Sequence, residues 1–441
     1  MFKKHLKTLR KNAFLFLAVA VVSVIAQSGC APLAPGKKCY VKEIGSTGKY
    51  IMHLEGTPYE IGYAMGYFRP KEVERMCSFE YFQGVLDDSL GEWAEILEPL
   101  YEVKWLVDLG IDIFKILTNG FRINVPEEYL DEMQGIVDGV KAADPHSTLE
   151  FDDVLMLNLS VDVLLSLQYS LYYPLDSATE SCNSFVAFNN ATSDGRTLMG
   201  NHFMYPAAVY HEVALYVEYV PQSGHKFISV TAPGFVGLTT AMNDRGVAIQ
   251  THVLTSGDTD YDNIGMGVLL LSRKAIQYSD SMKEAVETIR DAKRGVPWIY
   301  ALGEPGGGAV IESTAGHFSV RYAGSAFENQ IEDKDDLIIS TNHALTPEVI
   351  AVQHISSTGT TLRRYQDLAG LLVGSYGSIN EDNGRGMIDF LHPGGPYSYY
   401  YGNDPNQPVA CHVSLFDLTN KRLWSLFGLY SDPWVSYELK E

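Results

Sequence analysis

The chain has 441 residues, of which 46% are hydrophobic and 20% are charged. This composition is typical of a globular protein and excludes a disordered one. The formal net charge of −21 argues against nucleic acid or an anionic membrane surface as a partner. The sequence has no CxxC or HExxH spacing, so we expect no metal and no cofactor.

The N-terminus has the pattern of an export signal. Positive residues precede an apolar run of about fourteen residues, which is shorter than the roughly twenty of a membrane-spanning helix. The following Gly29-Cys30 resembles the lipobox of bacterial lipoproteins, although Gln27 stands where that motif usually has Leu. We therefore predict a signal peptide over 1–29, a tether over 30–38, and a lipidated Cys30 that holds the protein outside the cytoplasm on a bacterial membrane. Secretion without a lipid and an uncleaved anchor are the alternatives.

The segment 39–181 is predicted to be mainly helical. Thr57-Pro58 and Pro126-Glu127 are typical helix starts, because proline suits the first turn and acidic residues suit a helix N-terminus. The mostly apolar run 151–167 has the length of a buried helix.

Two cysteines of this segment, Cys39 and Cys77, are candidates for a disulfide outside the cytoplasm. The sequence does not decide whether they pair.

From residue 182 onward, short strand-like runs alternate with turn residues. Strands are predicted at 183–188, 197–200, 214–219, 225–230, 237–242, 246–252, 298–301, 309–313, 319–322, 337–340, 409–417 and 422–424. Helices are predicted at 267–278, 281–292 and 361–372. Two groups of strands with helices between them indicate two packed sheets with helices outside.

Cys182 opens the first of these strands. If the chain is cut before it, one residue supplies both a thiol and a free α-amine, and the amine's reference pKa near 8 suits it to act as the thiol's base. A structural cysteine is the alternative, because free cysteine is among the most buried residue types.

Several motifs, in order along the chain, resemble those of isopenicillin N acyltransferase-like proteins, which are N-terminal-nucleophile hydrolases related to choloylglycine hydrolase. The segments that carry the resemblance are 53–66, 182–195, 233–248, 340–343 (Ser-Thr-Asn-His) and 361–364 (Thr-Leu-Arg-Arg). The resemblance implies an α+β fold, the αββα four-layer sandwich, preceded by a mainly helical segment. It also implies a precursor that cleaves itself between Ser181 and Cys182, after which 39–181 and the catalytic part, 182–441, stay associated.

The same resemblance implies the chemistry. The Cys182 thiol would attack a linear amide and form an acyl-enzyme, which passes to water or to an amine. Asn342 is the candidate donor to the oxyanion, and Arg364 or its neighbour Arg363 is the candidate cation that favours the thiolate. His252 lies near the position where relatives have an oxyanion asparagine and could donate, but a structural strand histidine is the favoured prediction.

One departure from the family pattern falls on the second strand. Relatives have Gly-Arg-Asn-x-Asp where this chain has Gly200-Asn-His-Phe-Met204, so Asn201 stands for the arginine and Met204 for the aspartate. Either Asn201 and His202 take over the polar roles, or the substrate preference has changed.

Two other functions remain open at this stage. One is a lipid- or ester-directed hydrolase of the same fold, and the other is a catalytically inactive lipoprotein that binds a ligand. The expected partner is a small amide or acyl compound, and contact with a membrane is expected only through the lipid. The aromatic run 397–401 would suit an apolar acyl pocket.

Overall fold

The computed structural model describes residues 35, 36, 38–90, 99, 101–170, 182–204, 209–355 and 360–440. Pro35 to Glu441 form one compact unit. Cys30 and Ser181, predicted to be lipidated and cleaved respectively, lie outside the described residues. Within these ranges, no helix has both the length and the apolar composition needed to cross a bilayer.

The helices follow the chain in this order: α1 Pro58–Phe68, α2 Pro70–Met76, α3 Phe79–Leu90, α4 Lys104–Phe121, α5 Glu127–Ala143, α6 Phe151–Ser170, α7 Tyr210–Val213, α8 Val268–Tyr278, α9 Met282–Asp291, α10 Pro347–Ile350, α11 Thr361–Gly374 and α12 Glu381–Ile388. The strands are β1 Tyr40–Glu43, β2 Tyr50–Gly56, β3 Asn183–Asn189, β4 Gly195–Phe203, β5 Leu215–Pro221, β6 Phe227–Thr231, β7 Thr240–Asn243, β8 Ala248–Val253, β9 Trp298–Glu304, β10 Gly307–Ser313, β11 Phe318–Tyr322, β12 Leu337–Ser340, β13 His412–Asp417, β14 Arg422–Leu426 and β15 Val435–Glu438.

The described strands form two sheets. The larger has the order β1-β2-β5-β6-β7-β8-β9-β10-β11, and the smaller has the order β12-β3-β4-β13-β14-β15. Strands β2 and β5 run parallel, with Ile51 opposite Tyr216, whereas the other neighbours pair antiparallel. The parallel pair connects the two predicted pieces of the precursor, because β2 lies before residue 181 and β5 lies after it.

The two sheets pack face to face with helices on both outer sides. Strands β3 and β4 of the smaller sheet contact β8, β9 and β10 of the larger one. Helices α8 and α9 contact the larger sheet, and α11 and α12 contact the smaller one. Separate apolar clusters fill the space between the sheets and the space under each helical layer. The predicted αββα sandwich is therefore confirmed.

Helix α1 packs against α5 through glycines. A Cβ added to Gly62 would lie 1.9 Å from a carbonyl oxygen of α5, and one added to Gly66 would lie 2.1 Å from another. Gly135 and Gly139 of α5 face α1 in the same way, at 2.2 and 2.1 Å. The glycines of the first motif therefore allow two helix backbones to touch.

The segment before residue 181 differs from its prediction at one end. It is mainly helical from Pro58 onward, and the predicted start of α1 is confirmed by a capping box between Thr57 and Glu60. Residues Tyr40–Gly56, however, contribute β1 and β2 to the larger sheet. Cys39 and Cys77 are both buried free thiols.

Candidate active site

Cys182 lies at the start of β3, a strand flanked by β12 and β4 inside the smaller sheet. The residue is buried, with 2% of its surface exposed. Ser184, two residues further on, points toward the larger sheet, where its hydroxyl lies 2.8 Å from Nε2 of His252. Because side chains alternate along a strand, Cys182 faces the same inter-sheet space.

Two side chains, Asn342 and Arg364, hold the backbone of Cys182, and we call this pair the clamp. The Cys182 N–H donates to Oδ1 of Asn342 at 2.7 Å, and the Cys182 carbonyl accepts from Nη1 of Arg364 at 2.8 Å. Nη2 of Arg364 also donates to Oδ1 of Asn342 at 3.0 Å, and Nη1 donates to Oδ1 of Asn183 at 2.6 Å. The clamp therefore fixes the peptide groups on both sides of the Cys182 Cα.

Helix α11 brings Arg364 to the site. The buried face of this helix includes Arg364 and Leu368, at the spacing of an amphipathic helix. Nε of Arg364 donates to Oγ1 of Thr360 at 2.9 Å, which orients the guanidinium. Arg363 points away, with 63% of its side chain exposed and its guanidinium 3.7 Å from the centre of the Tyr399 ring. Of the two candidate arginines, Arg364 faces the site.

Asn342 follows β12 in a loop that a buried carboxylate holds in place. Glu312 accepts from the N–H of Thr346 at 2.8 Å. The amide of Asn342 has one orientation, because arginine can only donate to its Oδ1 and its Nδ2 donates to the Val253 carbonyl at 2.8 Å. The side chain predicted to stabilise an oxyanion thus orients the Cys182 nitrogen in the uncut chain.

The surroundings keep the Cys182 thiol protonated. Burial raises its pKa above the ordinary value of a thiol. A hydrogen bond with the Met204 backbone, the positive charge of Arg364 and a hydrogen bond with the Asn342 side chain act in the opposite direction without reversing the rise. A nucleophilic thiolate at this position therefore needs a base that removes the proton.

Asn201 and His202 lie on opposite faces of β4. Asn201 is on the inter-sheet face with Cys182, and its Nδ2 donates to Oγ1 of Thr240 at 2.5 Å. His202 is on the helix-covered face, where its Nε2 lies 3.3 Å from the hydroxyl of Tyr430. Burial lowers the pKa of His202 to about 3, so this ring is neutral. The two residues do not act on the same side of the strand.

The side chains at the remaining predicted positions make packing and hydrogen-bond contacts away from the clamp. Met204 accepts through its sulfur from Nδ2 of Asn183 at 3.5 Å. His252 contacts the hydroxyl of Ser340 at 3.1 Å, and burial lowers its pKa to about 3. Tyr401 of the aromatic run stacks on His202 with 5.9 Å between the ring centres, so it packs under the helices of the smaller sheet.

Two residues that support the clamp, Asn183 and Thr360, were not predicted from the sequence. Asn183 follows the predicted nucleophile directly in the sequence, and this position could have indicated its role. Thr360 lies one helical turn before Arg364, which is the spacing at which two side chains of a helix meet. In the described ranges, no group of three His, Cys, Asp or Glu side chains is placed to hold a metal ion.

Part of the chain matches a known protein family. Residues 191–379 match the family model described as acyl-coenzyme A:6-aminopenicillanic acid acyl-transferase. The matched range includes both residues of the clamp and begins after Cys182. A protein of Archaeoglobus fulgidus described as uncharacterized is 41% identical over 449 residues, which cover 97% of this chain and 72% of that protein.

Two solved structures are similar at lower identity. The N-acylethanolamine-hydrolyzing acid amidase ortholog of Caenorhabditis elegans is 14% identical, with 59% of this chain and 100% of that chain covered and a TM-score of 0.39. Penicillin V acylase from Agrobacterium tumefaciens is 16% identical, with 58% and 86% covered and a TM-score of 0.40.

The αββα sandwich is the fold of the N-terminal-nucleophile hydrolases. Within that class, the chain belongs to the family of acyl-coenzyme A:6-aminopenicillanic acid acyl-transferase. This family of acyltransferases and hydrolases acts on amides.

Proposed function

We propose that the chain is a self-processing precursor and that Cys182 is the nucleophile of the mature amidohydrolase or acyltransferase. The observation that carries this proposal is the clamp. A structural cysteine needs no side chain on its backbone, whereas here Asn342 binds the Cys182 nitrogen and Arg364 binds its carbonyl oxygen. The nitrogen belongs to the bond that self-cleavage would break, and the contact with the carbonyl oxygen fixes the Cys182 backbone that carries the thiol.

Self-cleavage would proceed through a thioester. The Cys182 sulfur adds to the carbonyl carbon of Ser181, the bond from that carbon to the Cys182 nitrogen breaks, and the nitrogen takes up a proton. Water then hydrolyses the thioester, which releases the Ser181 carboxylate and returns the thiol. The product is a chain that begins with Cys182 and carries a free α-amine.

That amine is the base that the thiol needs. Its reference pKa near 8 lets it accept the proton of Cys182 at neutral pH. Oδ1 of Asn342, which accepts from the amide in the uncut chain, can accept from the amine after cleavage. Sulfur then attacks the substrate amide, the amine group of the substrate leaves with a proton, and the acyl-enzyme passes its acyl group to water or to an acceptor amine.

Buried contacts support the proposal that both pieces stay together. Arg273 of α8 and Glu132 of α5 are each 1% exposed and form an ion pair of 3.1 Å across the two parts. Asn158 of α6 accepts from the N–H of Val236 at 2.7 Å. The parallel pairing of β2 with β5 adds backbone hydrogen bonds between the same parts.

The test is the denatured mass of the purified protein. We expect two fragments that meet at Ser181/Cys182 in the wild type and one unbroken chain in Cys182→Ala. Cys77→Ala, which changes another buried thiol, should be cleaved like the wild type. An unbroken wild-type chain that is folded, or identical fragments from Cys182→Ala, would contradict the proposal. Linear acyl anilides then test the amide activity of the cleaved protein.

We also infer that the protein is exported and anchored through a lipid on Cys30, on the strength of the lipobox resemblance alone. Expression in a bacterium should place the wild type in the membrane fraction and Cys30→Ala in the soluble fraction. Equal partition of the two proteins would contradict the anchor without affecting the proposal for Cys182.

A further inference from the structure

A network of buried charges contacts the elements that carry the clamp. Its members are Glu312 of β10, Arg321 of β11, Glu332, and Tyr365 of α11, and they are between 0% and 3% exposed. Nε of Arg321 donates to Oε1 of Glu312 at 2.7 Å, and Nη1 of Arg321 lies 3.5 Å from Oε1 of Glu332. The Tyr365 hydroxyl donates to Glu332. We call these four residues the arginine network.

The first glutamate of the network holds the loop that carries Asn342. The Glu312 carboxylate accepts from the N–H of Leu345 at 3.0 Å, from the N–H of Thr346 at 2.8 Å and from the hydroxyl of Thr346 at 2.7 Å. Hydrogen bonds to an ionised carboxylate are about twice as strong as those between neutral groups. Asn342 lies two residues after the end of β12, at the start of this loop. The position of Asn342 therefore depends on that of Glu312.

The network also satisfies the outer edge of β12. Among the described strands, β12 is the first of the smaller sheet and pairs with β3 on one edge. On its other edge, the Ile339 N–H donates to Oε1 of Glu332 at 3.2 Å, and the Ile339 carbonyl accepts from Nη2 of Arg321 at 3.0 Å. Buried backbone groups need such partners. Two charged side chains thus take the place of a neighbouring strand, next to the loop of Asn342.

The second glutamate leads to α11, the helix that carries Arg364. Glu332 accepts from the Tyr365 hydroxyl, which itself accepts from the Ile331 N–H at 3.2 Å. The Tyr365 ring also packs edge-on against His343, with 5.2 Å between the ring centres. Tyr365 directly follows Arg364 in the helix. Anchoring its hydroxyl therefore fixes the rotation of α11 about its axis, and with it the direction of Arg364.

Buried charges of this kind do not explain themselves by stability, because apolar residues of similar volume are often as stabilising. We propose that Arg321 is a positioning residue that holds Asn342 and Arg364 in a fixed geometry relative to each other. One glutamate leads from Arg321 to the loop of Asn342, and the other leads through Tyr365 to the helix of Arg364. The effect of Arg321 on Cys182 passes through the clamp. This inference rests on the proposed function of Cys182.

The first test removes one hydroxyl from the network. Tyr365→Phe deletes the hydrogen bond to Glu332 and keeps the ring. The matched control is Tyr216→Phe, because Tyr216 is a fully buried tyrosine whose hydroxyl donates to the Val435 carbonyl at 2.9 Å, outside the network. We expect self-cleavage of Tyr365→Phe to be slower than that of the wild type by about threefold to tenfold, since small displacements of reacting groups cost rate. Tyr216→Phe should cleave within about twofold of the wild type.

A double variant tests whether Tyr365 acts through Arg321. Arg321→Lys keeps the charge but loses the planar fork that reaches both glutamates and Ile339, so it should slow self-cleavage at least as much as Tyr365→Phe. Adding Tyr365→Phe to Arg321→Lys should then slow it further by a smaller factor than Tyr365→Phe does alone. Factors that simply multiply would contradict the coupling. If Arg321→Lys does not fold, the comparison of Tyr365→Phe with Tyr216→Phe still decides.

The last test does not depend on cleavage. In uncut Cys182→Ala, hydrogen exchange in peptides that span residue 182 reports the N–H that donates to Asn342. This exchange should be faster in Cys182→Ala/Tyr365→Phe and unchanged in Cys182→Ala/Tyr216→Phe.

The outcomes separate the two proposals. Unchanged exchange together with wild-type cleavage rates in Tyr365→Phe, or equal effects of Tyr216→Phe, would overturn the inference and leave Cys182 as the nucleophile. A folded wild type that stays uncut, with exchange at residue 182 that responds to Tyr365→Phe alone, would overturn the proposed function and uphold the positioning role.

Discussion

Replacing Arg364 with lysine tests the clamp most directly. Arg364 reaches the Cys182 carbonyl, Asn183 and Asn342 from two nitrogens, at 2.8, 2.6 and 3.0 Å, and reaches Thr360 from a third. The single ammonium of a lysine cannot reproduce this planar fork. At least one of the charged hydrogen bonds is therefore lost in Arg364→Lys.

The structure gives the size of the effect. A hydrogen bond to a charged group contributes about 1.5–3 kcal/mol, which corresponds to a factor of about 10–150 in rate if the bond holds the reacting geometry. We expect self-cleavage of refolded Arg364→Lys to be slower than that of the wild type by this factor, as followed by denatured mass over time. The matched control is Arg363→Lys, because Arg363 is 63% exposed and lies outside the clamp. It should cleave within about twofold of the wild type.

Stability has to be separated from chemistry in this experiment. Thermal unfolding of the uncleaved double variants Cys182→Ala/Arg364→Lys and Cys182→Ala/Arg363→Lys shows whether each is folded at the assay temperature. Self-cleavage of folded Arg364→Lys at the wild-type rate would refute the role of the clamp. So would an equal slowing in both lysine variants.

Three further predictions concern stability. Gly66→Ala should lower the free energy of unfolding by about 3 kcal/mol or more in urea titration, because the new Cβ would lie 2.1 Å from a backbone carbonyl oxygen. The control is Gly110→Ala in α4, where a Cβ would have no atom within 4 Å, and this change should raise the free energy of unfolding by about 0.5–1 kcal/mol. Glu132→Gln leaves Arg273 buried without a counter-charge, so the free energy of unfolding should fall by about 3–5 kcal/mol relative to the wild type. An unchanged urea midpoint would contradict this. Burial raises the pKa of Asp162 to about 7. Between pH about 4 and 7, the folded state therefore holds a proton that the unfolded state has released. The free energy of unfolding falls as pH rises through that window, by up to about 1.4 kcal/mol per pH unit. Asp162→Asn should reduce that slope by one proton, and parallel pH profiles would contradict the assignment.

The sequence predicted the αββα architecture because its signals are local. Turn residues bound several of the predicted strands, and β12 lies where its apolar run was predicted, whereas β15 was not predicted. The strands β1 and β2 were missed for a physical reason. Their place in the sheet depends on the pairing of Ile51 with Tyr216, and contacts so distant in sequence leave no local pattern.

The candidate site was predictable to the extent that motifs fall on it. Cys182, Asn342 and Arg364 come from three motifs, and the structure brings them into hydrogen-bond contact. Asn201 and His202 are neighbours on one strand, so their side chains point to opposite faces of the sheet. The motif comparison alone did not take this into account.

The parallel pairing of β2 with β5 has a consequence for how the protein is made. In the uncut chain, the two strands find each other within one molecule, at an effective concentration set by the connecting chain. If the chain is cut as we propose, the same pairing becomes an encounter between two molecules and depends on their concentration. Loss of the first piece would also leave β5 as an unpaired edge that invites association with other chains. Under that proposal, folding would have to be complete before cleavage, and a denatured mature protein would regain its structure far less readily than its precursor.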